Sequence, residues 1–286
     1  MLDHWQNKVE TLTTEGYDFS ASQYLKEGWE IYKDEAFSFI GFLLVTVIIS
    51  FGVSNIPTIG APIQYFVVGP ALGVGYFIVA HKIRRNEYDD FGEFFKGFSY
   101  LKEIIPAAFT LMAIYVLAFS PSIYSMYSTG LFDWYQEVLK DPFNAPQIDS
   151  FITGLSTTQI WIVVLNLIPV VYLTVAFSFA YKFIVFCDMG FWEAIESSRK
   201  VITRRWFAVF GYYLLFMGLF FLATLLIALI LSAAPLLGGL LMGLFMIAVV
   251  AISPLIYCGL YAAFADILQL NEDEDSSDDI LDHLVD

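Results

Sequence analysis

Six long apolar stretches alternate with polar segments along the chain. Each is long enough to cross roughly 30 Å of hydrocarbon as an α-helix, and none has a charged residue at its middle. Their apolar positions are continuous rather than alternating, which excludes a β-barrel. The pattern therefore predicts an all-α membrane protein with six transmembrane helices, near residues 36–54, 62–80, 105–124, 159–185, 206–231 and 238–265.

An amphipathic segment precedes each odd-numbered stretch. Aligned without gaps, the three segments keep their apolar positions in register, except that Arg199 stands in the third copy opposite Trp29 and Phe98. Such segments either lie in the membrane interface with their apolar side chains in the acyl boundary, or pack beneath the bundle as a collar. They cover residues 24–36, 94–105 and 195–206.

Each even-numbered stretch carries a proline within its interior and several small residues. Proline removes a backbone donor and kinks or ends a helix, and small residues let helix backbones approach closely in lipid. We expect the three proline helices to cluster centrally, with packing as their main role and a hinge or ligand cavity as the alternative. The predicted kink and packing residues are Pro70, Pro169, Pro254, Gly69, Gly73, Gly75 and Gly259.

These patterns together predict three parallel repeats, each a cytoplasmic amphipathic helix followed by a transmembrane hairpin. The repeats cover about 18–82, 90–187 and 189–269 within a transmembrane domain of residues 21–269. A polar N-terminal segment, 1–20, precedes that domain. An acidic tail, 270–286, follows it, and we expect this tail to be disordered because it has many like charges and little apolar surface to bury.

Composition and charge narrow the class further. The chain is 58% hydrophobic and 15% charged, whereas soluble domains are nearer a quarter charged. Lipid bilayer must therefore be part of its surroundings. The net charge of −15 argues against nucleic acid as a partner.

Basic residues predict the orientation. With six spans, only Lys140 of the 14 Lys and Arg residues lies on the side opposite the chain ends. Loops rich in Lys and Arg stay in the cytoplasm, so both termini are predicted to be cytoplasmic.

The densest basic cluster lies within the third amphipathic segment. Its members, Arg199, Lys200, Arg204 and Arg205, anchor that side of the protein in the simplest interpretation. The alternative is contact with the headgroups of anionic lipids, since clusters of Lys and Arg at a membrane surface attract them.

The stretch FWEAIESSRKVITRRW, residues 191–206, resembles a signature of bacterial six-span membrane proteins. These include the YciC-like inner-membrane proteins and the membrane domain attached to some glycerophosphodiester phosphodiesterases. The resemblance implies a location in the bacterial cytoplasmic (inner) membrane, and it carries no activity to this chain. The matching positions are Trp192, Ala194, Ile195, Ser198, Arg199, Lys200 and Trp206.

Motifs for catalysis or metal binding are absent from the sequence. It has no HExxH, GxSxG or Walker A pattern, and its two cysteines and three histidines have no ligand spacing. We therefore expect no enzyme activity, no cofactor and no metal. The leading hypothesis is a non-enzymatic scaffold or accessory subunit of a membrane complex, whose acidic tail contacts a membrane or cytoplasmic protein partner. The alternative is a transporter or lipid-handling protein that uses the central proline helices.

The predicted topology can be tested with single cysteines and an impermeant thiol reagent in intact cells. Ser128→Cys and Gln147→Cys should be labelled, whereas Asn86→Cys and Ser276→Cys should not, because the first two follow an odd number of spans. Labelling at position 276 from outside would contradict the six-span topology.

Overall fold

A computed structural model describes residues 2–140 and 156–270. All regular elements of these residues are helical, and we number the α-helices in chain order. Between α4 and α5 lies a π-helical turn, Gln64–Val68, and between α5 and α6 lies a 3₁₀ helix, Phe91–Tyr100. The α-helices are α1 Leu2–Thr14, α2 Ala21–Asp34, α3 Ala36–Ser54, α4 Gly60–Ile63, α5 Gly69–Arg84, α6 Leu101–Ser128, α7 Leu131–Lys140, α8 Thr157–Ala176, α9 Ala180–Cys187, α10 Phe191–Arg204, α11 Trp206–Ala233, α12 Pro235–Ile252 and α13 Pro254–Ile267.

Six helical stretches of the described chain are long and apolar enough to cross a membrane. This confirms the all-α class and the number of helical stretches, six, that are long and apolar enough to span a membrane. The first and fifth begin where the apolar pattern places them, at Ala36 and Trp206. The stretches are Ala36–Ser54, Gly60–Arg84, Phe91–Ser128, Thr157–Cys187, Trp206–Ala233 and Leu236–Ile267.

The chain forms two compact units, residues 1–108 with 176–286, and residues 109–175. The core of the first unit consists of three helix pairs: α2 packs on α13, the 3₁₀ helix packs on α5, and α10 packs on α9. We call α2, the 3₁₀ helix and α10 the docking segments, and α5, α9 and α13 the central helices. Helix α5 also contacts both other central helices.

Two of the three pairs meet at a glycine of the docking segment. A Cβ added at Gly28 would lie 2.6 Å from the backbone nitrogen of Gly259, and one added at Gly97 would overlap the carbonyl oxygen of Ala71. Only glycine lets the two backbones approach this closely. The close packing of α2 and of the 3₁₀ helix on their central helices therefore requires glycine at these two positions.

The third pair has a serine where the other two have glycine. Ser198 of α10 is fully buried; its hydroxyl donates to the carbonyl oxygen of Ala176 at 2.8 Å and accepts from the amide of Phe179 at 3.1 Å. These two backbone groups flank the break between α8 and α9, where helical hydrogen bonding stops. The serine side chain thus satisfies polar groups that the apolar surroundings would leave unpaired.

The central helices end in a common way. Asn86, Asp188 and Gln269 follow α5, α9 and α13 and have positive φ angles of 59°, 49° and 52°. A residue in this left-handed conformation just after a helix stops it and turns the chain, and Asn and Asp accept that conformation more readily than most residues.

Within the second unit, Asn166 of α8 forms hydrogen bonds to α6 next to a proline. Pro121 has no amide proton, yet α6 continues through it. The Asn166 side chain accepts from the amide and the hydroxyl of Ser122, at 3.3 and 2.7 Å, and donates to the carbonyl oxygen of Ala118 at 2.8 Å. The Asn166 side chain therefore bonds to both the amide of Ser122 and the carbonyl oxygen of Ala118, which are four residues apart in α6.

We predict that Asn166→Leu lowers the stability of the protein in detergent by about 1–3 kcal/mol, because three interhelical hydrogen bonds to Ser122 and Ala118 are lost in apolar surroundings. Thr224→Val is the matched control, since the Thr224 hydroxyl bonds only to Phe220 in its own helix. Equal unfolding temperatures for the two variants would show that the interhelical bonds contribute nothing.

Candidate functional site

The central helices place a lysine in the apolar core. Helix α8 ends at Ala176, the chain turns over residues 177–179, and α9 resumes at Ala180. Lys182, in the first turn of α9, is 0% exposed. Lysine is almost never fully buried without a charged partner, so this side chain identifies the junction of the central helices as the candidate functional site.

The Lys182 amine is held by one carbonyl and two aromatic rings. Its Nζ donates to the carbonyl oxygen of Ser178 at 2.8 Å and lies 3.8 Å from the ring centroid of Phe77 and 5.1 Å from that of Phe179. Among residues 2–140 and 156–270, no carboxylate forms an ion pair with it. The ring faces attract a cation electrostatically and replace part of the hydration that burial removes.

A second polar contact lies one helical turn away. His81 of α5 and Tyr261 of α13 place Nδ1 and the phenol oxygen 2.8 Å apart, and the His81 ring stacks at a tilt 5.0 Å from Phe186 of α9. The contact joins all three central helices, because each of these side chains comes from a different one.

Aromatic rings surround these polar groups. Phe264 of α13 lies edge-on to Phe179, which precedes α9, and to Phe183 of α9, with centroids 5.2 and 5.1 Å apart. The site is therefore a dry polar junction, suited to holding helices together or to holding a proton away from water. No group of three or more His, Cys, Asp or Glu side chains that could bind a metal occurs in the described part of the chain.

Charged side chains tie the docking segments to the central helices. Glu93 of the 3₁₀ helix is 6% exposed and pairs with Lys82 of α5 at 2.8 Å and with Lys96 at 2.6 Å. The phenol of Tyr24 in α2 donates to Asp266 of α13 at 2.8 Å. These contacts join two of the docking segments to central helices of the same chain.

The predicted basic cluster follows the same pattern. Arg199 donates to both carboxylate oxygens of Glu196, at 2.8 and 2.7 Å, and Lys200 lies 3.7 Å from the same group. The hydrogen bond from Arg199 holds the pKa of the Glu196 carboxyl below its usual value. Contact of these two residues with anionic lipid stays a prediction.

The other two members of the cluster bind the segment that joins α1 to α2. Arg204 reaches the carbonyl oxygen of Thr14 at 3.5 Å. Arg205 donates to the carbonyl oxygen of Tyr17 at 2.6 Å and to Asp18 at 3.4 Å. These contacts fix the N-terminal polar segment against the end of α10.

The three predicted kink prolines occupy different helical positions. Pro70 and Pro254 stand in the first turns of α5 and α13, directly after residues that are themselves helical: Val68 has φ −71° and ψ −50°, and Ser253 has φ −55° and ψ −34°. Each proline therefore lies where one helical segment passes into the next, and its missing amide proton leaves a carbonyl of the preceding turn without its helical donor. Pro169 lies inside α8, eight residues before the break at residue 177. Two prolines therefore begin a central helix and the third precedes one.

Gly75 and Gly259 face the docking segments. A Cβ at Gly75 would overlap the carbonyl oxygen of Phe94, and one at Gly259 would overlap the Tyr212 phenol and lie 3.1 Å from the carbonyl oxygen of Tyr24. Both residues permit a close approach of backbones.

Gly69 and Gly73 differ from that pair. A Cβ at Gly69 would meet only Gln64 in the preceding turn, and one at Gly73 would have nothing within 4 Å. The Gly69–Gly73 spacing typical of helix dimers thus packs against no other helix within the described residues.

Comparison of the chain with protein-family models, curated proteins and solved structures finds no match. The family resemblance of residues 191–206 therefore stays a prediction.

Sequence analysis missed the role of Lys182, which it counted with the interfacial basic residues. The only available signal was its place inside an apolar run, five residues before Cys187. Asn166 was missed as well, although an amide in the middle of a span is uncommon.

We predict that Lys182→Met leaves the unfolding temperature in detergent unchanged or raises it, because methionine fills a similar volume without a desolvated amine. Lys82→Met, on a neighbouring helix, should lower stability by about 1–3 kcal/mol, because Glu93 loses one of its two charged partners. Severe destabilisation by Lys182→Met would show that the ring contacts are essential to the fold.

Proposed function

We propose that this multi-pass membrane protein is non-enzymatic and acts as a scaffold or accessory subunit of a membrane complex. The observation that carries the proposal is an open pair of glycines on α12. Gly239 and Gly243 are exposed, four residues apart, and a Cβ added at either would meet nothing within 4 Å. In lipid, this spacing of small residues lets a second helix approach. The pair therefore suits a helix of a partner protein.

The distribution of polarity supports the same proposal. Charged and polar side chains such as Glu93 and Tyr24 join the chain's own helices, and the spans are apolar. In the most apolar window of α11, mean hydropathy is 2.9 and no residue is buried within the protein. Surfaces of this kind contact lipid or other membrane helices, and they offer no polar path for a solute.

The proposal includes the repeat and the orientation. The three docking pairs and the shared left-handed caps support three parallel repeats. Glu35 and Arg205, which precede α3 and α11, also share a corner conformation, with φ −132° and ψ 37° against φ −128° and ψ 33°. We place the chain in a bacterial inner membrane with cytoplasmic ends, on the resemblance and the basic residues. The acidic tail, proposed to bind a partner, lies outside the described residues.

Affinity purification in mild detergent tests the scaffold function. Gly243→Leu should reduce the co-purified membrane protein about tenfold, since losing close helix packing costs on the order of 1–2 kcal/mol. Gly52→Leu is the matched control, because Gly52 is an equally open glycine on α3. Wild-type protein that purifies without any stoichiometric membrane partner, or equal retention by both variants, would contradict the proposal.

A second candidate, a transporter that uses the central helices, is favoured by Lys182. Ionisable side chains within membrane spans often mark ion or proton paths. Lys182→Met separates the two functions: a scaffold keeps its partner in this variant, whereas a transporter that moves protons through the lysine loses coupled uptake in vesicles.

A further inference from the structure

An apolar groove runs between α11 and α12 in the first unit. Its volume is about 410 Å³. The small side chains of Ala223 in α11 and Ala248 in α12 leave an empty space between the two helices. Phe220 and Phe245, with ring centroids 5.5 Å apart, form part of its walls, and Leu25 of α2 also lines it.

The groove has the chemistry of a hydrocarbon site. Ser253 is its only lining residue with a polar side chain, and its hydroxyl donates to the carbonyl oxygen of Val250 in the preceding turn. Nothing in the lining therefore selects a polar solute. The wall from Leu215 to Ala223 spans eight residues of rise, about 12 Å along the helix, so the groove is elongated.

We propose that the groove binds one acyl chain of a phospholipid from the leaflet in which α2 lies. An engineered cavity of about 150 Å³ holds a benzene ring. By that measure, the groove has room for a chain on the order of 15 carbons. Because its walls belong to two membrane spans, hydrocarbon chains are the molecules present at highest concentration around it, and filling the space restores dispersion contacts that an empty groove lacks.

The mouth of the groove faces an interface suited to a headgroup. Leu25 at this end belongs to α2, whose Trp29 is 47% exposed, and tryptophan prefers the level of the headgroups. Lys26, next to Leu25, is exposed, and in the part of the chain that the structure describes it has no ion-pair or hydrogen-bond partner. An anionic phosphate above the groove would meet a free cation.

A partner helix fits the groove less well than a chain does. Helices pack closely in membranes along stripes of small residues, and Phe and Leu side chains occupy most of these walls. The open glycines of α12, Gly239 and Gly243, do not line the groove. The acyl-chain site is thus independent of the partner surface, and Gly243→Leu should leave lipid binding unchanged.

The experiment uses the full chain in vesicles of phosphatidylethanolamine and phosphatidylglycerol that contain a phospholipid with a diazirine in its acyl chain. After photolysis, peptide mapping should find the label concentrated at residues 215–223 and 245–256. Ala223→Trp fills the groove and should lower this label at least fivefold. Ala228→Trp, on the same helix but outside the groove, is the matched control and should keep it.

Thermal unfolding of each variant separates loss of the site from loss of the fold. Ala248→Phe fills the groove from the opposite wall and should reproduce the loss if Ala223→Trp does not fold. Label spread evenly over all lipid-facing residues would overturn the proposal. So would a groove that stays unlabelled while cross-linking at Ala223 captures a second copy of the chain.

Discussion

The first unit depends on contact between backbones without intervening side chains. Gly28 on Gly259 and Gly97 on Ala71 bring two of the three docking segments, α2 and the 3₁₀ helix, into direct backbone contact with their central helices. In lipid there is no hydrophobic gain in pressing helices together, so packing and hydrogen bonds must supply the stability. Short distances make both possible: the Tyr24–Asp266 bond and the Glu93 ion pairs lie beside these contacts, and a larger side chain at either glycine would separate the groups that form them.

Satisfaction of polar groups explains most of the remaining architecture. Ser198 completes the break before α9, and Asn166 forms interhelical hydrogen bonds to α6 beside Pro121. In both places a side chain from another helix bonds to backbone groups at an irregular point of the helical chain. Lys182 is the exception, because one carbonyl and two rings provide its surroundings. A group so sparsely paired in a well-packed core is unusual among structural residues, and this gives Lys182 its functional interest.

The sequence predicts the class and the spans well, because a run of about twenty apolar residues has a single physical explanation. The starts at Ala36 and Trp206 follow from the same abrupt change of polarity. The pattern of apolar and polar residues does not predict which helix each docking segment contacts. A gap-free alignment places Gly28, Gly97 and Ser198 in register, yet only three-dimensional packing shows that α2 pairs with α13, at the far end of the chain. Likewise, periodicity cannot tell a lysine that reaches the interface from one that turns inward, as Lys182 does.

The pairing of α2 with α13 has a consequence for biosynthesis. About 220 residues separate the two helices, and translation proceeds at roughly 5–20 residues per second. Helix α2 therefore leaves the ribosome about 10 to 45 seconds before α13, the helix on which it packs, has been synthesised. During that interval its apolar face, with Tyr24 and Ile31, needs a temporary cover from the bilayer surface or from a chaperone. The last step in folding of the new chain is therefore the packing of α2, the first docking segment, on α13, the last membrane helix.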